Sequence, residues 1–194
     1  MAKAKAKNQW EELLYDSSAK CIDNAVDYIL ANPGIIDSLF VFAVEGGNNS
    51  VSRRAARTIS KLIELKPNEY HDKLYILLDI IENIEDESKC FQFLRPFTII
   101  NLPGDEEFIG KLFGVALSWV ERRVERIAIK LYAAEILYRI SEIEPELKRE
   151  LLLIYKQYTK DEKISFRNKC KYYIAKIEGK KYICDKSKPI NDDL

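Results

Sequence analysis

The side chains in this sequence that could carry reaction chemistry are few and widely spaced. His71 is the only histidine among 194 residues. A Ser-His-Asp or Cys-His mechanism, or a zinc site built on several histidines, would have to run through that one position. It stands in Asn68-Glu-Tyr-His-Asp72, at the start of an expected helix and among charged neighbours, where a solvated imidazole is the ordinary outcome. Cys21, Cys90, Cys170 and Cys184 include no Cys-x-x-Cys pair, a spacing unlike a redox motif or a zinc ribbon. The first three fall on the apolar sides of expected helices, where a thiol behaves as a small hydrophobe, and reduced, buried thiols predict a cytoplasmic protein.

Carboxylates cluster at Glu85-Asp86-Glu87 and at Asp105-Glu106-Glu107. Both clusters open an expected helix, where negative charge complements the positive end of the helix dipole. Paired-carboxylate catalysis needs two facing groups, which adjacency along a chain does not supply. No Walker loop, Gly-x-Gly-x-x-Gly run or His-Glu-x-x-His motif occurs. The expectation is a protein without catalytic residues, cofactor or metal.

The distribution of charge is more informative. Lys and Arg number 31, as do Asp and Glu, giving a formal net charge of zero, which disfavours indiscriminate binding of polyanions. Yet residues 51–66 hold five basic and one acidic residue, and 67–87 hold one basic and seven acidic. Residues 122–143 hold five basic against three acidic, and 163–188 nine against two. Within the basic stretches, cations recur every four residues as three rows: Arg53, Arg57 and Lys61; Arg122, Arg126 and Lys130; Lys163, Arg167 and Lys171. If corresponding helices stack side by side, the rows share one ridge. These nine residues are the candidate partner-binding set, facing an acidic protein segment or, as a second reading, a phosphate backbone; the plain reading is a solvated helix face. Tyr155, Tyr158, Phe166, Tyr172, Tyr173 and Tyr182 interleave with the last row, as in grooves that stack single-stranded bases, although Phe166 and Tyr173 lie on the core stripe.

The elements that position these residues follow from apolar periodicity. With 47% apolar residues, seven Gly and six Pro, the chain is neither collagenous nor disordered. Met1-Ala-Lys-Ala-Lys-Ala-Lys7 is followed by no apolar run of signal-peptide length, and no stretch reaches the roughly 20 apolar residues of a membrane span. Val51, Ala55, Ile59, Leu62 and Ile63 form one stripe and predict a helix over 51–66 capped by Ser50 or Ser52. Leu74, Leu77, Leu78, Ile81 and Ile84 predict a second over 70–84, folded back on the first across Pro67. Pro33, Pro103 and Pro145 each separate a comparable pair: 21–31 with 35–44, 91–102 with 106–120, and 124–143 with 147–158. Pro96 should kink or shorten the helix that contains it. The second half of 124–143 is apolar nearly all round, as an interior helix requires. A last helix over 164–177 carries Phe166, Cys170, Tyr173, Ile174 and Ile177 on one face and ends at Gly179. Alternation and hairpin signals are absent, so the class is all-α.

Arg54-Ala-Ala-Arg-Thr-Ile-Ser-Lys-Leu-Ile-Glu-Leu-Lys-Pro67 and Lys130-Leu-Tyr-Ala-Ala-Glu-Ile-Leu-Tyr-Arg-Ile-Ser-Glu-Ile-Glu-Pro145 align on their prolines, matching Ala56 with Ala134, Ile59 with Leu137, Leu62 with Ile140 and Leu65 with Ile143. Both resemble first helices of HEAT or armadillo-like repeats. The resemblance spans about residues 20–177 and implies an α-α superhelix, a right-handed solenoid of antiparallel helix pairs that presents a surface to a macromolecular partner. Tetratricopeptide repeats share a similar period, but their Trp, Leu-Gly and Tyr positions do not line up here. HEAT-like DNA glycosylases share the architecture; Trp119 beside Arg122 and Arg123 is the one echo of a base-handling site, and no catalytic Asp matches. The expected organisation is a flexible basic segment over 1–8, one domain of about four helix pairs plus a capping helix over 9–178, and a mobile tail over 179–194. The expected role is a non-catalytic scaffold for a protein partner, with no membrane contact.

Overall fold

The computed structural model describes residues 9–160 and 163–182. The segment 1–8, the part of the tail beyond 182, and Cys184 lie outside the described residues. Among the described residues the structure is helical, without strands. No single helix among them is long and apolar enough to cross a membrane. The chain divides into two compact units, Met1–Pro103 and Gly104–Leu194. By sequence, the first contains 12 basic and 15 acidic residues, and the second 19 and 16.

In the first unit, a helical stretch over 9–13 leads to the buried Leu14, with Trp10 buried beside it. Ser18 caps α1 (Ala19–Ala31), its hydroxyl accepting from the Cys21 amide at 3.1 Å. Asn32 ends the helix, and Pro33 opens a 3-10 turn over Pro33–Ile35, since its fixed φ suits the start of a turn while its ring forbids continuation of the helix before it. The chain bends by 108° there into α2 (Ile36–Glu45). The loop 46–49 returns the chain to α3 (Ser50–Leu65). The cap of α3 is Asn49, not Ser50 or Ser52: its Oδ1 accepts from the Val51 and Ser52 amides at 3.0 and 2.9 Å. Ser52 lies inside the helix, where its hydroxyl donates to the Gly47 carbonyl at 2.6 Å. After the turn at Pro67 comes α4 (His71–Asn83), and then α5 (Glu87–Leu94), capped by Asp86. Helix α5 starts earlier than expected and stops before Pro96, which opens the 3-10 turn Pro96–Thr98.

The pairing of helices differs from the expected one. Helix α3 packs on α2 across the loop 46–49 and on α1 and α5 at its sides, whereas the backbones of α3 and α4 do not approach closely. The turn through Pro67 therefore marks a corner between packed pairs. Ile59, Leu62 and Ile63 of α3 are fully buried at the centre of this unit.

In the second unit, Asp105 caps α6 (Glu106–Glu121), accepting from the Phe108 amide at 2.8 Å. Helix α7 (Ile127–Ile143) begins three residues later than expected, and none of its residues from 127 to 141 is exposed. It is the interior helix that its apolar circumference calls for. Pro145 opens another 3-10 turn before α8 (Lys148–Gln157). Helix α9 (Ile164–Ile177) packs on α7 and α8, while α6 packs on α7. Gly179, at φ +66°, ends α9 in a Schellman motif: the Lys180 amide donates to the Ala175 carbonyl at 2.8 Å and the Gly179 amide to Lys176 at 3.2 Å.

Candidate interaction groove

The first basic row is paired with other segments of its own unit. Arg53 donates from Nε to Oδ2 of Asp86 at 2.8 Å, Arg57 donates to the Ser17 carbonyl at 2.9 Å, and Lys61 is paired with Asp23 of α1. These cations join α3 to α5, to the residues before α1, and to α1 itself. Arg95 and Glu64 add a fourth tie between neighbouring segments, at 2.9 Å. Burial opposes ionisation of Asp86, but the Arg53 guanidinium and the Lys89 and Ser88 amides hold its carboxyl below the ordinary value.

The second row is not a row on one helix. Arg122 is the C-cap of α6, with its guanidinium 4.5 Å from the Trp119 ring, and Arg126 is the residue before α7. The i,i+4 spacing has no helical meaning across the loop that joins them. Only Lys130 lies on α7, with its ammonium 5.6 Å from the Tyr158 ring and 5.4 Å from Phe166. In the third row, Lys163 is exposed at the N-cap position of α9, while Arg167 and Lys171 lie within the helix and are half-buried. Lys171 borders a groove of about 460 Å³ with Lys156, Lys180 and Lys181, where Glu178 pairs with Lys180 at 2.6 Å and Lys156 at 3.5 Å. The first row belongs to one unit and the other six residues to the other.

The remaining candidates have structural surroundings. His71 is exposed, its ring edge-on to Tyr75 at 5.8 Å. Asp86 and Asp105 are helix caps. Cys21, Cys90 and Cys170 are buried free thiols. The tyrosines contact one another: Tyr138 stacks on Tyr173 at 4.6 Å, and buried Tyr155 donates from its hydroxyl to the Ala134 carbonyl at 2.6 Å. Glu135 accepts from Lys169 at 2.6 Å and from the Tyr173 hydroxyl.

In the first unit a groove of about 500 Å³ is bordered by α2, α4 and the start of α5. Its apolar walls are Val44 of α2 facing Ile76 and Ile80 of α4 and Ile84 just beyond; Val44 and Ile76 are each 42% exposed. Asp79 and Glu85, both exposed, stand among them. Lys89 forms part of the lining yet is only 2% exposed, its Nζ donating to the Gly47 carbonyl at 2.9 Å. Burial pushes the Lys89 ammonium below its ordinary pKa, with Asp86 opposing and Arg53 assisting. At the other end of α4, Lys73 pairs with Asp37 of α2 at 2.6 Å and with Asp72 at 3.3 Å.

Sequence reasoning passed over this groove, although a signal was present. The core stripe of α4 needs only Leu74, Leu77, Leu78 and Ile81, all buried. Ile76 and Ile80 are surplus aliphatics, four residues apart on a helix that carries three acidic residues and one basic one, and the core does not use them fully. Comparison with family models, with curated proteins and with solved structures finds no match to this chain.

Proposed function

We propose that the chain is a non-catalytic helical-repeat scaffold of the HEAT/armadillo kind, which docks a protein partner on the groove between α2 and α4. One observation carries the reading. Exposed aliphatic side chains gather with carboxylates at one groove, while the first-row cations expected to meet a partner bind other parts of the same unit. Apolar side chains left in water beside polar ones are the usual mark of an interaction face.

The repeat reading has support of its own. Helices α3, α5 and α7 each follow a loop rather than a proline corner, and with α9 they begin at Ser50, Glu87, Ile127 and Ile164, a recurrence near the ~40 residues of helical-pair repeats. Helices α1, α3 and α5 pack as neighbours in the first unit, and α7 and α9 in the second. The right-handed superhelix belongs to this reading.

A photo-crosslinking residue placed at Ile76 in the native host tests it, with one at exposed Asn24 of α1 as the control. A defined protein adduct from position 76 and none from 24 is the expected result. No adduct from 76 overturns the docking face. Nucleic-acid binding, the second reading, has Lys156, Lys171, Lys180 and Lys181 around one groove in its favour. It predicts that a labelled duplex binds at low salt and is released steeply as salt rises.

A further inference from the structure

Resting on that docking reading, we propose that the occupant of the α2–α4 groove is a basic amphipathic helix, with aliphatic side chains four residues apart on one face and Lys or Arg at its flanks. Three features of the groove select this partner.

The first is spacing. Ile76 and Ile80 lie one above the other on α4, about 6 Å apart at 1.5 Å per residue, and Ile84, the residue just after the helix, also lines the groove. Val44 stands on the opposite wall. A ridge of side chains at i and i+4 on a partner helix is the complement of such a row.

The second is charge. Residues 67–87 contain seven acidic residues and a single basic one, Lys73, whose ammonium is already bound by Asp37 and Asp72. Asp86 is committed to Arg53 and two backbone amides. Lys89 lies beneath the surface, with its ammonium on the Gly47 carbonyl. Asp79 and Glu85 are the exposed acidic residues of the lining. They would repel an acidic or phosphorylated segment and attract a cationic one.

The third is shape. Helices α2 and α4 border the groove without close backbone packing, so side chains can enter between them without displacing the core, whose α4 members Leu77, Leu78 and Ile81 are fully buried elsewhere.

The test uses the full chain and three fluorescent peptides of about fourteen residues in fluorescence anisotropy: a helical Leu/Lys peptide, a Leu/Glu peptide of the same pattern, and a Lys/Ser peptide without aliphatics. The Leu/Lys peptide should bind best. Val44→Asp with Ile76→Asp should weaken it by about tenfold or more, with the melting temperature unchanged because both positions are exposed. Asp79→Lys with Glu85→Lys should weaken Leu/Lys binding and strengthen Leu/Glu binding. The proposal is overturned if Leu/Glu or Lys/Ser binds as well as Leu/Lys, if the aspartate pair leaves binding unchanged, or if that pair abolishes self-association of the chain, which would make a second copy the occupant. A crosslinked partner at Ile76 that docks through an acidic segment sinks this inference and leaves the scaffold reading standing; absence of any crosslink removes both.

Discussion

Arg53 on α3 donates from Nε to Asp86 at 2.8 Å, and the same carboxylate accepts the Ser88 and Lys89 amides that begin α5. One residue thus caps a helix and ties it to the neighbouring helix. Asp86→Asn keeps a capping side chain and removes the charge. Charge-assisted hydrogen bonds contribute more than neutral ones, but the Arg53 side chain is 44% exposed, so solvent screening lowers the expected loss to about 1 kcal/mol at pH 7. The Asp86 carboxyl titrates below its ordinary value in the folded chain. Its contribution is therefore complete above the unfolded carboxylate pKa of about 3.9 and disappears as pH falls through the lowered folded value. Urea unfolding of wild type and Asp86→Asn should differ at neutral pH and converge as pH falls through the lowered folded value of Asp86.

The loop between α2 and α3 depends on two glycines. Gly47 has φ +72°, so Gly47→Ala should cost about 1 kcal/mol. Gly46 has an ordinary φ, but a Cβ there would lie 2.4 Å from the Phe42 carbonyl oxygen, a backbone atom that cannot yield cheaply. Gly46→Ala should cost more, about 1–3 kcal/mol. Thermal melts of the two variants should rank in that order.

The helices themselves were readable because each carries its own stripe. The bounds Ile164–Ile177 and the stop at Gly179 follow from Phe166, Cys170 and Tyr173 at helical spacing and from glycine's freedom at positive φ. The packing partners were not readable, because a stripe says which face is buried and not against what; hence the expected pairing across Pro67 gives way to pairing across the loop 46–49. The destinations of the cations were hidden for a related reason. Arg53, Arg57 and Lys61 meet Asp86, Ser17 and Asp23, which are 33, 40 and 38 positions away. Arg122, Arg126 and Lys130 do not share one helix, because a loop separates Arg122 at the end of α6 from α7. The groove left a trace in Ile76 and Ile80, which a helix with one buried face does not require.

Leu137, fully buried in α7, tests the interior role of that helix. Leu137→Ala should cost about 2–5 kcal/mol. Leu137→Asp should leave Gly104–Leu194 unfolded, since an unpaired carboxylate would replace a core side chain. Circular dichroism and denaturant melts distinguish the two outcomes, and a mild effect of the aspartate would show that α7 is not central to its unit.

Glu135 offers a second titration test. Burial opposes its charge, yet Lys169 and the Tyr173 hydroxyl hold the carboxyl below its ordinary value. Tyr173→Phe removes one donor, and Lys169→Gln replaces the cation by a neutral amide. Each should raise the Glu135 pKa, the double variant most, as followed by side-chain carboxyl NMR. The stabilisation from this cluster is full above the ordinary glutamate pKa and declines as pH drops through the lowered folded one.

The central claim is a division of labour: the cations of α3 hold the fold together, and the acid-rimmed groove between α2 and α4 meets the partner. The most direct measurement takes Arg53→Gln with Arg57→Gln on one side and Val44→Asp with Ile76→Asp on the other, recording for each the melting temperature and the affinity for the Leu/Lys peptide. The arginine pair should lower the melting temperature while the peptide still binds, and the groove pair should weaken binding by about tenfold or more without changing the melting temperature. The reverse assignment, with binding lost through the arginines and stability lost through the groove, would contradict the account.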